Sequence, residues 1–175
     1  MKIFPVAKIQ TLAECKPGQL VRSLEYGEAG RLGVVFDARD QVDALRGVVT
    51  ISEDVPEFEV EPQPDQMSVL SHLGNVVWEV DHKGPLETNA RNLFDKSGAI
   101  ILDKEGWFLN VVSAGGFGIS RTKMQLNLST GVLDRYRERL NKVAIFGAWA
   151  VYLEEQDRPH ESRFEVVEFN IKREA

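Results

Sequence analysis

The chain has 175 residues, of which 43% are hydrophobic and 27% charged, and its formal charge is −6. Such a chain is long enough to bury a core without a disulfide or a metal, and its acidity excludes a surface that is basic throughout. No apolar run approaches the ~20 residues of a membrane-spanning helix, the longest being Val143 to Leu153.

Met1 to Lys8 is interrupted by Pro5 and Lys8, so it does not read as a signal peptide. The single Cys15 cannot form an internal disulfide, and a reducing, cytoplasmic setting is expected. A hairpin is predicted to join Gln19–Leu24 to Arg31–Phe36 through Glu25-Tyr26-Gly27-Glu28-Ala29-Gly30. Asp40 suits the cap of a helical turn through Gln41–Arg46, with Gly47 as its stop. A further hairpin is expected between Val48–Ile51 and Phe58–Val60, where Phe58 and Val60 alternate with Glu57, Glu59 and Glu61.

Glu61-Pro62-Gln63-Pro64-Asp65-Gln66 has two prolines and no apolar residue. It reads as an extended connector over 62–66, dividing an N-terminal β lobe (1–61) from a β-rich lobe (67–175). One single domain over 1–175 is the competing organisation.

Val76, Trp78 and Val80 alternate with Glu79 and Asp81, the pattern of a half-buried strand. Ala99–Leu102 and Trp107–Val112 flank Asp103-Lys104-Glu105-Gly106, the clearest hairpin signal in the chain. Met124, Leu126 and Leu128 mark another strand. Leu133, Tyr136 and Leu140 fall at helical spacing, with Asp134, Arg135, Arg137, Glu138 and Arg139 as the wet face. Val143 to Leu153 is apolar on every side and fits a central strand or a buried helix. In the last segment Phe164 and Val166 share one face, while Val167, Phe169 and Ile171 share the other. A phase change of one residue within a strand is what a β-bulge produces. The expected fold is mainly β: an antiparallel sandwich or two small barrel-like lobes, with one to three short helices.

Few residues form a chemical motif. Asp37, Asp40 and Asp43 are spaced for a helix start and not for a calcium loop. His72, His82 and His160 have no metal-ligand spacing, and Cys15 has no partner for a zinc set. No serine stands in a nucleophile elbow. The segment Gly115, Gly116, Phe117, Gly118 and Arg121 is the candidate ligand loop, because backbone N–H groups of a glycine-rich turn can cradle an anion beside an arginine. It lacks the pattern of a phosphate-binding or dinucleotide-binding loop. No catalytic set, cofactor or metal is expected.

Charge is segregated. Glu53, Asp54, Glu57, Glu59, Glu61 and Asp65 stand without a base between Glu53 and Gln66. Arg121 to Lys142 holds Arg121, Lys123, Arg135, Arg137, Arg139 and Lys142 against Asp134 and Glu138. Complementary patches of this kind steer encounter and fix register between chains. The expected function is therefore a non-catalytic cytoplasmic binding or assembly protein, self-associating or meeting a protein partner through these patches, with no membrane partner. The competing readings are a small enzyme whose site is assembled from distant residues and a weak nucleic-acid binder through 121–142.

Overall fold

The computed structural model describes residues 7–24, 30–38, 45–52, 55–72, 74–81, 96–114, 121–136, 143–155 and 158–171, with backbone alone at 155 and 158–166. The fold is mainly β, as composition and alternation predict. Its strands are β1 (Ala7–Thr11), β2 (Leu20–Ser23), β3 (Leu32–Ala38), β4 (Arg46–Thr50), β5 (Glu57–Glu61), β6 (Ser68–His72) and β7 (Asn75–Val80). They continue as β8 (Ile100–Asp103), β9 (Gly106–Ser113), β10 (Lys123–Asn127), β11 (Val132–Arg135), β12 (Ala144–Phe146), β13 (Ala148–Glu155) and β14 (Arg158–Asn170). Among the described residues the only helical element is the 3-10 turn Leu12–Glu14.

The three hairpins form where turn chemistry places them: β2 pairs β3, β4 pairs β5 and β8 pairs β9, all antiparallel. At the last turn the Asp103 carboxylate accepts the N–H groups of Glu105 and Gly106. The bulge in the final strand is also present. Val151 pairs Val167 and the next residue, Tyr152, pairs Glu165, so Val166 is the extra residue.

Three local expectations differ from the structure. Val132–Arg135 is strand β11, not the start of a helix. Leu133 is buried in the core and shares its strand face with Arg135, which is exposed at the strand end, so the spacing of three from Leu133 to Tyr136 is a coincidence of a short strand and the residue after it. Arg46 and Gly47 open β4 instead of ending a helix, and Gly47 lies so close to Phe36 that a Cβ there would meet the ring. Residues 39–44 and 137–142 lie outside the described set. The 62–66 stretch is turned, not extended: Gln66 N–H donates to Gln63 O, and the turn is tied back to the 3-10 segment by Ala13 N–H to Pro64 O. The Val143–Leu153 run is strand: β12 and β13, broken at Gly147.

The pairings β3–β4–β5–β9–β10–β11–β3 close into a ring. Two seams of this barrel are parallel, β5 with β9 and β11 with β3. The inside is filled by Leu32, Val34, Phe36, Val49, Leu109, Val111, Leu126 and Leu133, each nearly or fully buried. Burial of one such side chain contributes about 1.5–3 kcal/mol, which makes this interior the main source of stability. The second sheet, β14-β13-β7, packs its Val80, Trp149, Val151, Leu153 and Phe169 into the same core.

The barrel is built twice. Val132 pairs Asp37 in one parallel seam, and Glu57 pairs Val112 in the other. Matching β3 to β9, β4 to β10 and β5 to β11 makes Asp37 the counterpart of Val112 and Glu57 that of Val132. The same match reproduces the other registers: Phe36↔Gly47 corresponds to Val111↔Met124, and Leu20↔Val34 to Ile100↔Leu109. β6 pairs β2 as β12 pairs β8. Even the entry turns agree. Gln19 N–H donates to Lys16 O and Ala99 N–H to Lys96 O, with Gly18 and Gly98 at φ 82° and 86°. β7 and β13, which follow β6 and β12, pair antiparallel with each other, Trp78 opposite Val151.

Candidate functional site

The Gly115, Gly116, Phe117 and Gly118 positions of the candidate ligand loop lie outside the described residues. Arg121 is described, and its guanidinium reaches the Glu57 carboxylate at 3.0 Å. The acidic and basic stretches therefore meet inside one chain at that point, because β5 runs beside β9 and Arg121 precedes β10. Glu59 is exposed, and Glu61 accepts the N–H of Gln63. Arg135 is exposed at the end of β11. Glu53, Asp54, Arg137 and Arg139 lie outside the described residues, as do Asp40, Asp43 and His82.

Asp37 is engaged structurally. Arg46 Nε donates to one of its carboxylate oxygens at 2.8 Å and Nη2 to the other at 3.2 Å. The same guanidinium donates from Nη1 to the carbonyls of Ala13 and Cys15. Arg46 thus clamps the 3-10 turn onto the barrel, and its planar fork suits that task better than a lysine would. Cys15 is buried with Leu12, Val21, Val35 and Val69, and its sulfur accepts from Gln10. His72 is nearly buried, and neither ring nitrogen has a hydrogen-bond partner among the described residues. Burial, and then the charge of Arg22, push its pKa below the ordinary value of 6.5. No group of three or more His, Cys, Asp or Glu that could hold a metal occurs among the described residues. No helix among them is long and apolar enough to cross a membrane.

The structure brings together a site that sequence alternation alone does not reveal. A cleft of about 320 Å³ opens between β7 and the β8–β9–β10 face. It is lined by Trp78, Glu79 and Val80 on one side and by Ile100, Trp107, Leu128 and Ser129 on the other. Both indoles are held from behind. Trp78 packs on Trp149 with ring centroids 5.2 Å apart, and Trp107 packs on Phe146 at 5.6 Å. Trp149 in turn stacks on Phe169 at 4.7 Å and donates its indole N–H to Gly98 O at 2.7 Å. Gly98 leaves the space this stack needs, since a Cβ there would lie 2.5 Å or less from Phe169 ring atoms. The cleft walls are therefore fixed before any ligand arrives, which lowers the ordering cost of binding.

The duplication shows what is unusual here. The first-half positions that correspond to Ile100, Trp107, Leu128 and Ser129 are Leu20, Leu32, Ile51 and Ser52, with Ile51 N–H donating to Leu32 O as Leu128 N–H donates to Trp107 O. Leu20 and Ile100 are both fully buried, but Leu32 and Ile51 are at most 2% exposed whereas their counterparts Trp107 and Leu128 are half-buried. The same framework thus buries Leu32 and Ile51 in one half and borders a cleft with Trp107 and Leu128 in the other. The β2–β3 connection spans 24–31, whereas β8 and β9 are joined by Lys104-Glu105 alone. One signal in the sequence bears on this: Lys16-Pro17-Gly18-Gln19-Leu20-Val21 and Lys96-Ser97-Gly98-Ala99-Ile100-Ile101 share a Lys-x-Gly turn entering an apolar strand. Trp107 directly follows the hairpin glycine, where the other half has Leu32. Comparison of the chain with protein-family models, with curated proteins and with solved structures finds no match.

Proposed function

We propose that the chain is a non-catalytic binding protein whose ligand is a small molecule seated in the Trp78–Trp107 cleft. The observation that carries this reading is the departure from the internal duplication. Leu32 and Ile51 are buried where Trp107 and Leu128 are half-buried, so the fold itself does not require exposed apolar surface at these positions. The size of the cleft and its mixture of apolar walls with a few polar groups are those of small-molecule sites. The buried, unbridged Cys15 supports a cytoplasmic setting. Self-association through the charged stretches has less support, because Arg121 and Glu57 already pair within one chain.

The test is a fragment screen read by intrinsic tryptophan fluorescence, followed by Trp107→Leu, which installs the residue of the first half. Ligands of the cleft are expected to shift the emission of the wild-type protein. Their affinity should fall at least about tenfold in the variant, the equivalent of 1.4 kcal/mol of lost contact. Hits whose affinity is unchanged by Trp107→Leu would overturn the assignment.

A further inference from the structure

The aromatic wall of the cleft continues inward as a ladder of rings. Trp78 tilts against Trp149, and Trp149 lies nearly parallel to Phe169, the planes 14° apart. Neither Trp149 nor Phe169 lines the cleft, yet the ladder touches both of its sides. Trp149 backs Trp78 on the β7 wall and donates its indole N–H to Gly98 O, two residues before Ile100 of the opposite wall. Gly98 N–H donates in turn to Asn110 O on β9, and the Phe169 ring, near the end of β14, lies against Gly98. The duplication separates this contact from the needs of the barrel. Gly18, the counterpart of Gly98, has the same positive φ at the same entry turn, yet nothing lies within 4 Å of where its Cβ would stand. The turn therefore forms without a ring against it, and the ring-filled seat occurs in the half that borders the cleft.

We infer that Trp149 and Phe169 are positioning residues that couple the cleft to the C-terminal strand β14: they set the spacing of the Trp78 and Ile100 walls without touching the ligand. This rests on the cleft being a binding site, and the experiment separates the two claims. A preformed site loses affinity when its backing loosens, because the ordering cost returns to the binding step. Coupling is reciprocal, so a ligand that favours the set spacing also steadies the ladder. The probe is 1-naphthol, titrated into the full-length protein by calorimetry. Phe169→Leu should weaken its binding about fivefold, and Trp149→Phe, which keeps a ring and removes the N–H donor, about threefold. Val49→Ala, in the first half of the barrel interior, lowers the urea midpoint as a stability control and should leave the affinity unchanged. The chain has three tryptophans, so their indole N–H resonances are assigned by single substitutions. In the wild-type protein the Trp149 resonance should shift and its exchange with solvent should slow when 1-naphthol is added, a readout that needs neither variant to fold. Wild-type affinity in both ladder variants, an equal loss in Val49→Ala, or an unmoved Trp149 resonance at saturation overturns the coupling while leaving the cleft as a binding site. Failure of the wild-type protein to bind 1-naphthol, or binding that ignores Trp107→Leu, overturns the binding-site reading itself.

Discussion

The first and second halves of the barrel share strand order and register but fill the same positions differently. In the first half Val35 lies opposite Val48, and both belong to an apolar satellite core with Leu12 and Cys15. In the second half the equivalent cross-strand pair is Asn110 opposite Gln125, both buried, with Gln125 Nε2 donating to Asn110 Oδ1 at 3.1 Å. Asp37 and Arg46 form an ion pair in the first half where the second has Val112 and Lys123. Backbone pairing is thus tolerant of large changes in side-chain chemistry, provided each half satisfies its own buried groups. The cleft is the one compared position where the second half leaves apolar surface uncovered that the first half buries.

The sharpest way to break this comparison is at the paired entry glycines. Both have positive φ, but nothing lies within 4 Å of a Cβ on Gly18, whereas one on Gly98 would strike Phe169. Gly18→Ala is expected to cost about 1 kcal/mol for the backbone alone. Gly98→Ala should cost about 3 kcal/mol or more, because overpacking adds to the strain. Urea unfolding compares them, and equal costs would contradict the aromatic stack at Gly98. Next in size is Arg46→Met, expected to lose about 2 kcal/mol as several charge-assisted hydrogen bonds disappear. Lys123→Met at the equivalent exposed position should lose about 0.5 kcal/mol, the worth of a solvent-exposed cation 5.7 Å from the Tyr136 ring.

The Asn110–Gln125 pair offers a test with a sign reversal. Asn110→Val leaves the Gln125 amide buried without its acceptor and should cost about 1–2 kcal/mol. The double change to Val at both sites recreates the pair of the first half and should be less destabilising than the single one. A double variant less stable than Asn110→Val would show that the polar pair serves more than its own satisfaction.

The smallest effect concerns His72, whose counterpart is Phe146. Because its folded pKa is lowered, the unfolded chain takes up the proton first as pH falls below 6.5. Its contribution to stability is full above that pH and declines below it, toward the lowered folded value. His72→Phe should flatten the stability profile in this window and leave it unchanged above. An equally steep decline in the variant would place the titration elsewhere.

Much of this architecture was legible because it is local. Alternation located β7, β10 and both sides of the β8–β9 hairpin, and the face change between Val166 and Val167 located the bulge. Leu133 and Tyr136 misled because a strand of four residues holds too few alternations to outweigh one helical coincidence. The cleft was illegible for a different reason. Trp78 and Trp107 come from different sheets, and only the tertiary packing of β7 against the β8–β10 face brings them together. The duplication left a Lys-x-Gly turn as its trace, since a conserved register demands apolar character at inward positions and not particular residues.

The parallel seams carry a kinetic consequence. Each seam joins just two residue pairs, and each joins strands far apart in the chain. A parallel seam cannot be nucleated by a tight turn, so its loop-closure entropy is lost before packing compensates it. The antiparallel hairpins are therefore expected to assemble early, and ring closure to limit the folding rate. Because both seams draw one strand from each half, the barrel should close as one cooperative event, with neither half able to complete the ring alone.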